Sequence, residues 1–378
     1  MTSDSAAPPT TPDTAPPRTP SPVHKLGRED LPKFALAIVI GTAGGAIFSY
    51  LDMPLPWMMG AMFATGMTTL GGVQLKMDSR LRMLMILVLG VLLGGAFSPE
   101  ILERIPRWPI TLASLAAYVG VATIATFFYY RIVARFDPRT AFFCAVPGGL
   151  NEMIILGENA GADERQISVS HTTRIFFVVM VLPFFFRLFG DLGTTVRTFA
   201  SGDAGAIGTN DMLILTGCAV VGFYAARFLR IPAPHITGPM IASAAVHLAG
   251  FTEASPPAVV VAIAQVILGA SVGARFAGLT FRDLGRIVRL GGFATLLLLT
   301  ITVLFALALG AIAGFPFSSL VLAFSPGGLV EMSLIALTLD IDTAFVATHH
   351  IARISIVVIV VPIIFRLLVR FGLIGPGP

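Results

Sequence analysis

Apolar stretches punctuated by short polar loops run the length of this chain, at 31 to 50, 54 to 72, 81 to 98, 107 to 130, 139 to 158 and 168 to 190, then at 212 to 229, 233 to 250, 259 to 275, 288 to 312, 317 to 339 and 345 to 368. Each comes close to the roughly 20 residues that a helix needs to cross a bilayer. The pattern predicts an all-α integral membrane protein. Residues 1 to 30 differ: they are rich in Pro, Thr, Ser and Ala and lack an apolar core. That composition predicts a disordered cytoplasmic tail and not a cleaved signal peptide.

The pattern is duplicated. PGGLNEM at Pro147 to Met153 returns as PGGLVEM at Pro326 to Met332, an offset of 326 − 147 = 179. Residues 147 to 188 and 326 to 367 align without a gap and agree at 17 of 42 positions, among them Glu152 with Glu331, His171 with His350, Arg174 with Arg353 and Pro183 with Pro362. Ionisable residues are costly inside apolar sequence, so their recurrence at one offset says more than matched Leu or Val. Earlier segments repeat too: Pro54, Pro56 and Gly60 answer Pro232, Pro234 and Gly238, and Gly90 and Gly94 answer Gly269 and Gly273. The small-xxx-small spacing of these glycines suits close helix contact. Membrane repeat one therefore spans 31 to 190 and repeat two 212 to 370, with a linker at 191 to 211 and a C-terminal tail at 371 to 378.

Loop charge sets the orientation. Repeat one has its basic residues in the tail (Lys25, Arg28, Lys33) and after its second (Lys76, Arg80, Arg82) and fourth segments (Arg131, Arg135, Arg139). In repeat two they follow the first (Arg227, Arg230) and third segments (Arg275, Arg282, Arg286, Arg289) and the last (Arg366, Arg370). This opposite parity predicts two inverted copies, both termini being cytoplasmic. Inversion requires an odd number of crossings per copy, so one of the six segments in each must fall short. The one with Pro-Gly-Gly at its middle is the candidate, since legs 141 to 149 and 150 to 158 reach only about 13 Å each as helix. The expected fold is two inverted repeats of about five crossings, each with a re-entrant or broken PGG hairpin. Full crossing by the hairpins would give twelve spans in parallel repeats instead.

Composition agrees with a membrane location: 55% of the 378 residues are hydrophobic, 12% are charged, and the mean hydropathy is +0.86. A soluble chain carries about 25% charged residues. The net charge of +4 lies in short loops, as positive-inside orientation requires, so no direct nucleic-acid partner is expected. Cys144 and Cys218 lie in apolar segments without metal spacing and read as packing residues.

Broken backbone at membrane depth is tolerated where it is buried in protein or lines a wet cavity. Pro147, Gly148 and Gly149, with Pro326, Gly327 and Gly328, are thus candidates for a solute site at the repeat interface, where helix N-termini can face an anion. The alternative is a kink serving packing alone. Glu152 and Glu331, with Asn151 beside the first, stand in the second legs, and an intramembrane carboxylate is by default functional or paired. His171 and Arg174 share a helix face, as do His350 and Arg353, and the glutamates are the counter-charges expected for these arginines. Each His-Arg pair can equally be read as a wet helix end. Neighbouring arginines argue against a metal between the Glu and His residues. Absence of Walker, HExxH and GxSxG patterns leaves no enzyme and no cofactor to expect.

The doubled PGGLxEM, the paired H-x-x-R and the P-x-P-x-x-x-G openings resemble the membrane-type AbrB family over about residues 31 to 370. That family is bacterial and resides in the inner membrane, and its members have been labelled both regulators of gene expression and ammonia monooxygenases. What the resemblance implies is an indirect effect on gene expression, of the kind a membrane sensor gives. Two functions follow: a secondary transporter of a small, anionic solute, or a membrane sensor acting through a protein partner. Membrane lipid is an expected partner in either case, and a homodimer is the default for such folds.

Overall fold

The computed structural model describes residues 27 to 189, 208 to 279, 281 to 372, and 374. Expectations for the tail at 1 to 26, the linker at 191 to 207 and the end at 375 to 378 lie outside the described residues. The described chain is helical: α1 (Leu31–Tyr50), α2 (Pro56–Leu70), α3 (Ser79–Gly94), α4 (Pro99–Leu102), α5 (Trp108–Ile132), α6 (Pro138–Ala145), α7 (Leu150–Asn159), α8 (Glu164–Phe189), α9 (Thr209–Phe228), α10 (Pro234–Leu248), α11 (Ala258–Gly273), α12 (Phe281–Ala313), α13 (Phe317–Phe324), α14 (Leu329–Thr338) and α15 (Thr343–Arg370). Short 3-10 turns precede α1 and α5 and follow α11.

Seven of these segments are long and apolar enough to cross a membrane: α1, α5 with its preceding turn, α8, α9, α11 with its following turn, the 289–313 part of α12, and α15. Helices α2, α3 and α10, at 15, 16 and 15 residues, are shorter. The matched helices α1 and α9 turn apolar faces outward, with Val39 64%, Tyr50 88%, Val221 66% and Phe228 86% exposed. Faces of that kind suit lipid and not water.

The repeats share their irregularities. Leu55 (φ 47°) and Ala233 (φ 50°), in the left-handed region, lead into α2 and α10, and each is followed by a helix-starting proline. The left-handed conformation is unfavourable for these side chains by about 1–2 kcal/mol, so its presence at matched positions marks a chain direction that packing enforces. Packing is also reciprocal: Gly90 and Gly94 of α3 lie against the backbone of Ile236 and Met240 in α10, while Gly269 and Gly273 of α11 lie against that of Met58 and Met62 in α2. Each repeat thus inserts its third helix beside the second helix of the other.

Within each repeat a glycine pair lets two helices touch. A Cβ on Gly60 would fall on the Gly44 carbonyl, and one on Gly238 on the Gly222 carbonyl. Gly60→Val and Gly238→Val are each expected to lose about 1–3 kcal/mol by overpacking. Gly120→Val, where an added Cβ meets nothing within 4 Å, is the control. Thermal unfolding in detergent checks this, and equal midpoints for Gly60→Val and Gly120→Val would refute the close contact.

Each PGG-bearing segment is two helices, α6 and α7 in the first copy and α13 and α14 in the second. Their rings tie them to the interior. The Phe143 ring lies tilted against Phe365 of α15 (5.1 Å), and that of Phe324 meets edge-on Tyr118 of α5 (5.5 Å), whose hydroxyl bonds Thr302 of α12 at 3.0 Å.

Candidate functional site

Helix α6 opens with Pro138 behind Asp137, whose Oδ1 accepts the Arg139 and Thr140 backbone N–H groups at 3.0 and 3.1 Å. It stops because Pro147 drives the residue before it out of the helical region, and Val146 sits at ψ 127°. Gly149, extended at ψ 139°, then opens α7. In the second copy Ser325 (ψ 144°) precedes Pro326, and Gly328 (ψ 151°) opens α14. Carbonyls at the end of the first leg are left without helical partners, a costly state inside protein.

The following helix supplies those partners. Arg174 donates to the carbonyls of Val146 at 3.2 Å and Gly148 at 3.3 Å. It also donates to His171 Nδ1 at 2.9 Å, which puts the ring proton on Nε2, where it bonds the Phe143 carbonyl at 2.8 Å. In the second copy Arg353 donates to the carbonyls of Ser325 and, at 2.6 Å, Gly327, and His350 Nε2 bonds that of Leu322 at 2.9 Å. All four side chains are buried. The H-x-x-R pair is thus the clasp of the broken segment. Here the structure departs from the sequence expectation: the guanidinium hydrogens go to backbone carbonyls, and among the described residues neither arginine forms an ion pair with Glu152 or Glu331. The reason is geometric, since the orphan carbonyls point at α8 and α15 while the glutamates stand beyond the break.

Glu152 and Glu331 occupy the third position of α7 and α14. Each carboxylate folds back over the glycine that opens its helix, so that a Cβ on Gly149 or Gly328 would collide with Oε2. Glu331 takes a hydrogen bond from its own backbone. A carboxylate there covers the positive end of its helix, as a capping-box glutamate does.

The two glutamates converge on one cation. Arg82, at the start of α3, lies within electrostatic reach of Glu331 and of Glu152. Arg275, just past α11, lies within reach of Glu331 and of Arg82. All four side chains are half-buried, enclosed by protein yet keeping some accessible surface. They form a group of two acids and two bases, one of each from either repeat. Pro147, Pro326 and Gly327 are buried, and Gly148, Gly149 and Gly328 are half-buried. Asn151 is exposed on α7, whereas its counterpart Val330 is buried, so that position is not shared by the copies.

Sequence reasoning missed Arg82 and Arg275 by assigning both to basic loops. A signal was present, because each falls at the edge of an apolar segment and not outside it. Among the described residues no three His, Cys, Asp or Glu side chains gather as a metal site would need. Cys144 and Cys218 are free and buried.

The sequence model of the family described as "Transition state regulatory protein AbrB" matches residues 57–369. The uncharacterized protein YhjN of Bacillus subtilis (strain 168) is 27% identical over 368 residues, covering 90% of this chain and 94% of its own. A protein of Escherichia coli (strain K12) named "Putative regulator AbrB" is 23% identical over 341 residues, covering 86% of this chain and 93% of its own. Both PGG segments, both clasps, Arg82 and Arg275 fall inside the family match.

Proposed function

The chain belongs to the AbrB family, and from that premise we propose that it is a secondary transporter of the bacterial inner membrane, moving a small anionic solute through the crevice between its two PGG hairpins. The observation that carries this reading is the convergence of Glu152 and Glu331, from matched positions of the two copies, on Arg82. A site built from both copies and placed where broken helices meet is the arrangement of inverted-repeat transporters. Supporting the inversion, Gly90 and Gly94 advance along Ile236 and Met240 in the same sense, so α3 and α10 run parallel; Gly269 and Gly273 advance likewise along Met58 and Met62, so α11 and α2 do too. Second and third helices of same-way copies would run antiparallel. In the proposed topology ten helices cross, both termini are cytoplasmic, and the hairpins enter from opposite faces.

Mechanistically, the glutamates and the solute compete for the same cations. With Glu331 ionised, Arg82 and Arg275 are neutralised from within and the crevice is closed to anions. A proton on Glu331 releases them, and the solute's own carboxylate or similar group takes its place, so one proton moves with each monoanion. Solute binding should therefore tighten as pH falls.

The test is a thermal-stability screen of purified protein against small carboxylates, phosphate, amines and ammonium, run beside Glu152→Gln and Glu331→Gln. A ligand that prefers the native state stabilises it by about 2.7 kcal/mol at a hundredfold excess over Kd, and so raises the midpoint. A stabilising anion whose pH dependence disappears in Glu331→Gln supports the reading and names the compound for liposome flux. Stabilisation unchanged in both variants would remove the solute from the crevice.

A second reading has the same crevice sense a solute and signal to a protein partner. It is favoured by the description of the family as regulatory and by the name of the Escherichia coli relative. Deleting residues 1 to 26 separates the two: a transporter keeps liposome uptake without them. If uptake is absent from the full chain and solute binding is retained, the sensor reading stands.

A further inference from the structure

The two copies differ at the outer end of their first hairpin helix. In the first copy the N-terminus of α6 is filled by the Asp137 carboxylate, and the Thr140 hydroxyl accepts the Asp163 N–H at 2.9 Å. At the offset of 179, Asp137 becomes Pro316 and Thr140 becomes Ser319. Proline brings no side-chain acceptor, and no side chain caps α13. Instead, a cavity of about 540 Å³ lies there, between α13, the start of α5 and the turn from α14 to α15.

The cavity wall carries hydrogen-bond donors. Ser318 and Ser319, only 8% and 5% exposed, line it, and among the described residues neither hydroxyl makes a hydrogen bond. Trp108, 4% exposed, also lines it, and its indole N–H is unpartnered. Arg107 stands exposed at the rim. Of the acids nearby, Asp342 is already engaged, accepting the Phe345 N–H at 3.0 Å and lying 3.6 Å from Arg104. Asp340 is exposed on the rim. A helix N-terminus, two buried hydroxyls and a guanidinium together make a surface for negatively charged oxygen.

We propose that this cavity binds a small oxyanion, a carboxylate or phosphate group that stands where Asp137 stands in the other copy. The site is separate from the Glu152 and Glu331 crevice and does not depend on whether the chain transports. Its chemistry is shared by a free anion and by a phospholipid headgroup, which the experiment distinguishes.

The decisive variant is Pro316→Asp, which supplies the missing carboxylate at a position whose backbone (φ −58°, ψ 134°) is close to that of Asp137 (φ −60°, ψ 157°). Thermal midpoints are measured in detergent at constant ionic strength, with chloride replaced in turn by phosphate, acetate and succinate. The wild type is expected to be stabilised by at least one of these. Pro316→Asp is expected to unfold at a higher temperature than the wild type in chloride and to gain nothing from the anions. Should that variant fail to fold, Ser318→Ala with Ser319→Ala is expected to raise the apparent Kd about tenfold, the loss of one charged hydrogen bond. The same anion response in wild type and Pro316→Asp would overturn the proposal, as would none in the wild type with any anion or with phosphatidylglycerol micelles. Stabilisation by phosphatidylglycerol alone, absent in Pro316→Asp, would assign the oxyanion to a headgroup.

Discussion

Arg353→Ala is expected to lower the stability of the protein by about 2–6 kcal/mol, the cost of leaving two buried acceptors unmade. The side chain is 3% exposed and serves the carbonyls of Ser325 and Gly327, both at the break between α13 and α14. Without it two buried acceptors are orphaned, each at about 1–3 kcal/mol, and neither lipid nor the Leu- and Phe-rich surroundings can replace the donor. Arg174→Ala should cost less. Its bonds to Val146 and Gly148 are longer, at 3.2 and 3.3 Å, and the Val146 carbonyl keeps the Gly148 N–H at 2.8 Å. Lysine cannot restore either clasp in full, since one ammonium does not reproduce the planar fork that reaches two carbonyls. Thermal unfolding of the two alanine and two lysine variants beside the wild type gives the ranking. Arg353→Ala melting with the wild type would mean that the break is held by something other than the clasp.

That role for the arginines marks the boundary of what the sequence discloses. Helix placement was readable because a bilayer demands apolar runs of a given length, and the Pro-Gly-Gly breaks because proline and glycine act on the backbone directly. Recurrence of His171 and Arg174 at His350 and Arg353 showed that the four belong to one device. Their partners could not be read, because a backbone carbonyl leaves no mark in a sequence and a glutamate does. Arg82 was hidden for the converse reason: loop arginines and crevice arginines look alike until α3 is packed against α14. Asp137 and Pro316 were invisible as a pair, since a difference between copies carries no signal until an empty helix end stands beside a filled one.

If the chain transports as proposed, Glu331→Gln is expected to abolish proton-driven accumulation while leaving solute exchange in place. If one proton accompanies one monoanion, an inward gradient of one pH unit supports up to about tenfold accumulation in liposomes, tenfold being about 1.4 kcal/mol. Glutamine keeps the shape of the side chain over Gly328 but has no charge to offer Arg82 and Arg275. Those cations then stay available to the solute at every pH. Binding should become as tight at neutral pH as it is for the wild type in acid, and accumulation should fall from about tenfold to about one. Glu152→Gln should do less, because Arg82 lies in the stronger field of Glu331 and Arg275 answers Glu331 as well. Uptake of the stabilising anion with and without a pH gradient, and counterflow in the absence of one, separate the two quantities. Retained gradient-driven accumulation in Glu331→Gln would mean that the proton travels elsewhere, and the competition between Glu331 and solute for Arg82 would have to be abandoned. Loss of counterflow together with accumulation would make Glu331 a binding group and not the carrier of the proton, since a residue needed only for coupling leaves exchange untouched.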